Sequence, residues 1–220
     1  MQRAVAEKAN LLVSGGTGTG KTTILNILSS CIARHERVIT VEDAVELTLD
    51  LPNLIRLETR PANSEGSGEV SIRDLVRNSL RMRPDRIVVG EVRGGEAFPM
   101  LLAMSQGNNG SMCTLHADSA RSVFPKLLAY VSMASTGVPT ETVNLLIASA
   151  IHFVVHVEVR DNVRRITSIH EVVDADGTAI VSNEVYSVNS TTPQFVALRG
   201  ATATQLEGHG FPRARELSWS

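Results

Sequence analysis

The chain has 220 residues, of which 43% are hydrophobic, with a formal net charge of -2. That length and apolar content allow one substantial buried core, and the near-neutral balance excludes a general electrostatic drive toward nucleic acid or an anionic membrane. The two cysteines, Cys31 and Cys113, are too few and too far apart for a four-thiolate zinc site, no apolar run approaches the roughly 18 residues that cross a bilayer, and no signal-peptide h-region opens the chain, so the expected address is the cytoplasm.

Residues 1–9 read as the tail of a helix entering the apolar strand Leu11-Leu12-Val13. Gly15 to Thr22, GGTGTGKT, comes next and fits G-x-x-x-x-G-K-[ST], the P-loop pattern. Beyond it, Ile24, Leu25, Ile27, Leu28, Cys31 and Ile32 recur at helical spacing, so a strand feeds a glycine turn that opens an amphipathic helix. The chemistry comes from that geometry. Gly15, Gly16, Thr17, Gly18, Thr19 and Gly20 let the backbone turn its N–H groups onto a polyphosphate, and the helix dipole points at the same anion as far as Thr23. Lys21 supplies a mobile charge for the β- and γ-phosphates of ATP, and the Thr22 hydroxyl can ligate the accompanying Mg²⁺.

Arg37 to Val41 is a β-branched strand ending in Glu42-Asp43, completing a βαβ unit that carries both acids to the ligand-binding edge of a parallel sheet. Leu54 to Glu58 predicts another strand, and Pro61 to Gly68 a loop. Ser71 and Asp74 form a capping-box pattern ahead of a helix over 71–82. The almost continuously apolar run from Asp85 to Glu91 suits a strand buried between two helical layers, and Glu91 is a third acid at the same edge. Ala97 to Met104 predicts a helix closed by Gly107, and Ser111 to Leu115 a strand ending at His116. Asp118 or Ser119 can cap the next apolar segment, with a helix start or kink expected at Pro125, and 141–151 reads as helical. From Phe153 the period becomes two, with turns at Asp161-Asn162 and Asp176-Gly177, so 153–188 predicts an antiparallel meander joined to the parallel core. Residues 189–220 show no firm periodicity and are expected to form a tail.

Three strand-end groups suit phosphoryl transfer to water: Glu42 to polarise the water, Glu91 to hold Mg²⁺ directly or through its waters, and His116 to hydrogen-bond the γ-phosphate or the water. The bland readings are solvated strand-end carboxylates and a structural histidine. Arg73, Arg77 and Arg81 share a helical face that suits solvent, and the sharper alternative is that Arg81, Arg83 or Arg93 reaches a neighbouring subunit's nucleotide. Cys113 precedes His116 by three residues, which alternation turns to the opposite face, so a buried thiol is expected.

GGTGTGKT, VITVEDAVEL from Val38, RPDRIVVGEVR from Arg83 and GSMCTLHADS from Gly110 together resemble the Walker A, Asp box, Walker B and His box of type II/IV secretion system ATPases, with the CpaF-like tight-adherence pilus branch the nearest in pattern. The resemblance covers about residues 10–185. It implies that Glu42 is the Asp-box catalytic glutamate, Glu91 the Walker B acid and His116 the His-box histidine. It also implies a RecA-like core over 1–188 and a homohexamer peripheral to the inner face of the cytoplasmic membrane, docked on an inner-membrane platform protein. The family's additional N-terminal domain is expected to be missing, since the P-loop strand begins near residue 10, and Asn108 stands where a second His-box histidine is often found. Two alternatives stand beside a pilus or secretion motor: a conjugation ATPase driving DNA transfer, and a nucleotide-binding assembly module inactive without the N-terminal domain.

Overall fold

A computed structural model describes residues 1–134 and 137–188 and the backbone of Pro193–Phe195. The chain alternates β1 (Leu11–Gly15), α2 (Lys21–Ser29), β2 (Val38–Glu42), β3 (Leu54–Glu58), α3 (Ile72–Ser79), β4 (Arg86–Val92), α4 (Ala97–Ser105) and β5 (Met112–His116), after a short α1 (Gln2–Ala6). Helices α5 (Val123–Met133) and α6 (Thr140–Ala150) come next. The chain then becomes all-β in β6 (Phe153–Arg160), β7 (Val163–Asp176), β8 (Ala179–Val188) and β9 (Pro193–Phe195).

These strands form one sheet in the order β3-β2-β4-β5-β1-β6-β7-β8-β9. Alternation along the strands builds two cores. Leu12, Ile39, Val41, Ile87, Val89, Cys113 and Val154 face the layer of α3 to α6. Leu11, Val13, Val38, Val88, Met112 and Phe153 face the layer of α1 and α2. The fold is therefore helix-on-sheet-on-helix, which is why β4 is apolar on both faces.

The meander expected over 153–188 joins the parallel core through β6, which pairs parallel with β1 on one side and antiparallel with β7 on the other, so it closes the core as well as opening the meander. Period-two patterning reports a half-buried strand and carries no information about its partner's direction. Both expected turns are present: Asp161 and Asn162 adopt φ of 50° and 61°, as a tight two-residue hairpin requires, and Gly177 lies at φ 52° between β7 and β8. Ser71 and Asp74 make the reciprocal capping box, and the helix they open tightens into a 3₁₀ turn over Leu80–Met82. Ser119 Oγ accepts from the backbone N–H of Ser122 in the turn that precedes α5, and Pro125 sits in that helix's first turn, where its missing N–H costs no helical bond. The expected tail over 189–220 lies outside the described residues except that Pro193–Phe195 adds an antiparallel strand to β8. Among the described residues no helix is long and apolar enough to cross a membrane.

Candidate active site

The C-terminal edge of the parallel strands is open at β1, where the chain leaves the sheet for the P-loop. Register places Gly15 beside His116 of β5 on one side and Val157 of β6 on the other. A Cβ on Gly15 would lie 2.4 Å from the Val157 carbonyl oxygen, so the close approach itself demands glycine here. Gly20 caps α2 at φ 95°, a left-handed conformation that aims the following N–H groups outward along the helix axis. Thr19 Oγ1 donates to the Gly16 carbonyl at 2.9 Å and Lys21 Nζ to the same oxygen at 2.8 Å, fixing the loop from within.

Beside this loop is a cleft of about 660 Å³, lined by Thr17, Gly18, Gly20, Lys21, Thr22 and Thr23, by Glu42, Asp43 and Glu46, and by Glu91, Arg93, His116 and Arg164. Glu42 is 3% exposed at the end of β2. Its Oε2 accepts from the backbone N–H groups of Glu46 and Leu47 at 2.8 and 2.9 Å, while its Oε1 is buried without a hydrogen-bond partner. Gly90 makes room for it, since a Cβ there would lie 3.0 Å from Glu42 Cγ.

Glu91 owes its aim to an irregularity. Between Val89 and Val92 the β4–β5 register shifts, because three steps along β4 oppose two along β5, and such a bulge redirects the side chain it carries. Thr114 Oγ1 donates to the Gly90 carbonyl at 2.6 Å and so satisfies the displaced backbone. Arg93 holds Glu91 Oε2 and reaches Asp43 Oδ2 at 3.2 Å. His116 Nε2 lies 2.6 Å from Glu91 Oε1, so the imidazole is the neighbour of that buried oxygen.

Lys21 Nζ stands 3.4 Å from the His116 ring nitrogens. Desolvation pushes the Lys21 ammonium below its usual pKa, with Glu91 opposing and Arg93 reinforcing the shift. Desolvation likewise lowers His116, against Glu91 and with help from Lys21 and Arg93, which favours the uncharged imidazole. The cluster concentrates cations at a mouth walled by carboxylates. Cys113 is fully buried and its thiol is pushed up to about 12 by desolvation, which removes it from the chemistry.

The predicted P-loop residues, Glu42, Glu91, His116 and Arg93 thus come together. Arg81 and Arg83 do not. They lie in the 3₁₀ turn and the residue after it, which lead into β4, and so belong to the sheet edge opposite the P-loop. The direction of β4 was the available signal, because parallel strands present their C-terminal ends to the ligand. Sequence reasoning missed Glu46, whose Oε2 accepts from Thr22 Oγ1 at 3.4 Å, and Arg164 of β7, whose Nε donates to the Gly18 carbonyl at 3.1 Å across 146 residues of chain. Glu46 was findable as the next acid after the β2 strand end. Nothing local marks Arg164.

A triphosphate with Mg²⁺ suits these residues. The glycine cradle has no room for side chains at Gly15, and the buried Glu42 Oε1 awaits a donor or cation. Among the described residues no group of three His, Cys, Asp or Glu side chains is arranged to hold a metal alone, and Mg²⁺ in phosphate sites takes only one or two protein ligands, the phosphates supplying others.

Comparison with known proteins agrees with this architecture. The family described as type II/IV secretion system protein matches residues 1–195. The chain is 41% identical over 175 residues to a protein of Mycobacterium tuberculosis named "Putative conjugal transfer protein", covering 79% of this chain and 49% of the relative. It is 39% identical over 163 residues to the type IV secretion system protein PtlH of Bordetella pertussis, covering 73% and 48%. The solved VirB11 ATPase of the Brucella suis type IV secretion system superposes with a TM-score of 0.70 at 34% identity, over 77% of this chain and 50% of that one. The pilus retraction motor PilT, at 19% identity and a TM-score of 0.54, shares the fold. The chain spans about half the length of the curated relatives it matches. The expected RecA-like α/β architecture is the observed one, and the chain belongs to the type II/IV secretion system protein family.

Proposed function

We propose that this chain is the motor core of a secretion-type ATPase, binding ATP with Mg²⁺ and hydrolysing it to ADP and phosphate. The observation that carries the reading is the convergence of Lys21, Glu42, Glu91 and His116 on one cleft, with a buried oxygen of Glu42 left unpartnered. The P-loop N–H groups and Lys21 bind the β- and γ-phosphates and stabilise the charge that builds on them. Glu42 Oε1 accepts the proton of the attacking water as its oxygen bonds the γ-phosphorus and the bond to the β–γ bridging oxygen breaks. Oε2 stays tethered to the Glu46 and Leu47 amides, so the base is held in place. His116 hydrogen-bonds the γ-phosphate. Thr22 Oγ1 and Glu91 would hold Mg²⁺, which neutralises charge developing between the β- and γ-phosphates.

Work coupled to that reaction is pilus assembly or protein secretion by a homohexameric ring. It would sit at the cytoplasmic face of the inner membrane against a platform protein, with residues 1–188 as the motor domain. The CpaF-like assignment rests on the four motifs, and an arginine acting between subunits would be Arg93 from within the cleft or Arg81 or Arg83 from the far edge. The relative named for conjugal transfer favours a second reading, a DNA-transfer motor, which DNA-stimulated turnover would select. A third reading, a binding module inactive without a further domain, predicts nucleotide binding with no hydrolysis at any protein concentration. Lys21→Ala should weaken ATP binding by about a hundredfold in calorimetric titration, and undiminished binding would remove the P-loop from the site.

A further inference from the structure

We propose that Arg164 is a nucleotide-contacting residue that binds the α-phosphate and ribose end of the substrate, which deepens the ATPase reading and rests on it. Arg164 stands two residues after the tight Asp161-Asn162 turn, so the β6–β7 hairpin delivers it over the P-loop. Its Nε donates to the Gly18 carbonyl at 3.1 Å, and its Cδ would lie 3.0 Å from a Cβ on Gly20. The side chain is thereby laid along the loop where Gly20 opens α2, and it lines the cleft. One nitrogen of the guanidinium is engaged, leaving the two terminal nitrogens of a planar fork that matches phosphate oxygens.

Sheet order assigns the end of the ligand. Glu42, Glu91 and His116 come from β2, β4 and β5, all on one side of β1, whereas Arg164 comes from β7, beyond β6 on the other side. A nucleotide whose terminal phosphate lies among the acids runs past the P-loop and must leave its nucleoside end on the Arg164 side. Charge agrees with position. Arg93, at the acidic end, is already paired with Glu91 and Asp43, while among the described residues Arg164 makes no ion pair. A cation held by a backbone carbonyl keeps its charge for an incoming anion.

The test compares binding of ADP and of inorganic pyrophosphate to the full chain, wild type against Arg164→Ala and Arg164→Lys, with thermal melting as a check on folding. Contact with the α-phosphate and ribose predicts an ADP affinity about tenfold weaker in Arg164→Ala, pyrophosphate affinity changed by less than about twofold, and Arg164→Lys in between. Equal losses for both ligands would reduce Arg164 to a prop for the P-loop, and unchanged ADP binding would remove it from the site. Should Arg164→Ala melt early, Arg164→Lys against wild type still separates the two ligands. Wild-type protein that binds neither ligand overturns the ATPase reading and this inference together.

Discussion

Two charge clusters sit at opposite edges of the same sheet and differ in how completely they are paired. At the edge where the parallel strands begin, Arg86 is 1% exposed and makes a two-pronged contact with Glu36, at 2.7 and 2.8 Å. Its remaining nitrogen donates to the Val5 and Gly110 carbonyls, Lys8 reaches the same carboxylate at 3.3 Å, and Glu36 Oε1 also accepts from the Ala33 amide. At the other edge, Glu42 keeps a buried oxygen without a hydrogen-bond donor, and Glu91 is met by the exposed Arg93 and by His116. A saturated buried network holds elements together, here α1, β4 and the turns before β2 and β5. An unsaturated one costs desolvation without recompense until a ligand arrives.

That contrast predicts separable failures. Arg86→Ala should be the larger, because it leaves the Glu36 carboxylate buried and unpaired: about 3–5 kcal/mol of stability lost in denaturant unfolding, with nucleotide affinity of the folded protein retained. A variant that melts normally would mean the first cluster is not structural. The smaller effect should come from Gly90→Ala, whose added methyl presses on Glu42 Cγ while Glu42 Oε2 stays anchored at Glu46 and Leu47. Displacing the base should slow ATP turnover by about tenfold with the melting temperature almost unchanged. Loss of stability without loss of turnover would blur the distinction between the two edges.

How much of this was legible in the sequence depended on range. The P-loop, the Ser71–Asp74 capping box and the Asp161-Asn162 turn are local, each set by a few neighbouring residues, and each is found where its pattern predicts. Glu42, Glu91 and His116 were legible one level up, because strand direction carries strand ends to a common edge. Arg86 is a single charge at the head of an apolar strand, and its partners Glu36, Val5 and Gly110 are visible only once the strands are ordered. The bulge that aims Glu91 depends on the β4–β5 pairing, and the reach of Arg164 to Gly18 depends on β6 and β7 being placed beside β1. Such contacts are properties of the folded arrangement, with no periodic trace in the chain.

In the proposed mechanism the unpaired oxygen of Glu42 takes the proton of the attacking water. Glu42→Gln keeps the shape and the tether but not the base, so phosphate release should fall by about a hundredfold or more while ATP affinity stays within about twofold of wild type. A Glu42→Gln protein that binds ATP and hydrolyses it at the wild-type rate would contradict the account.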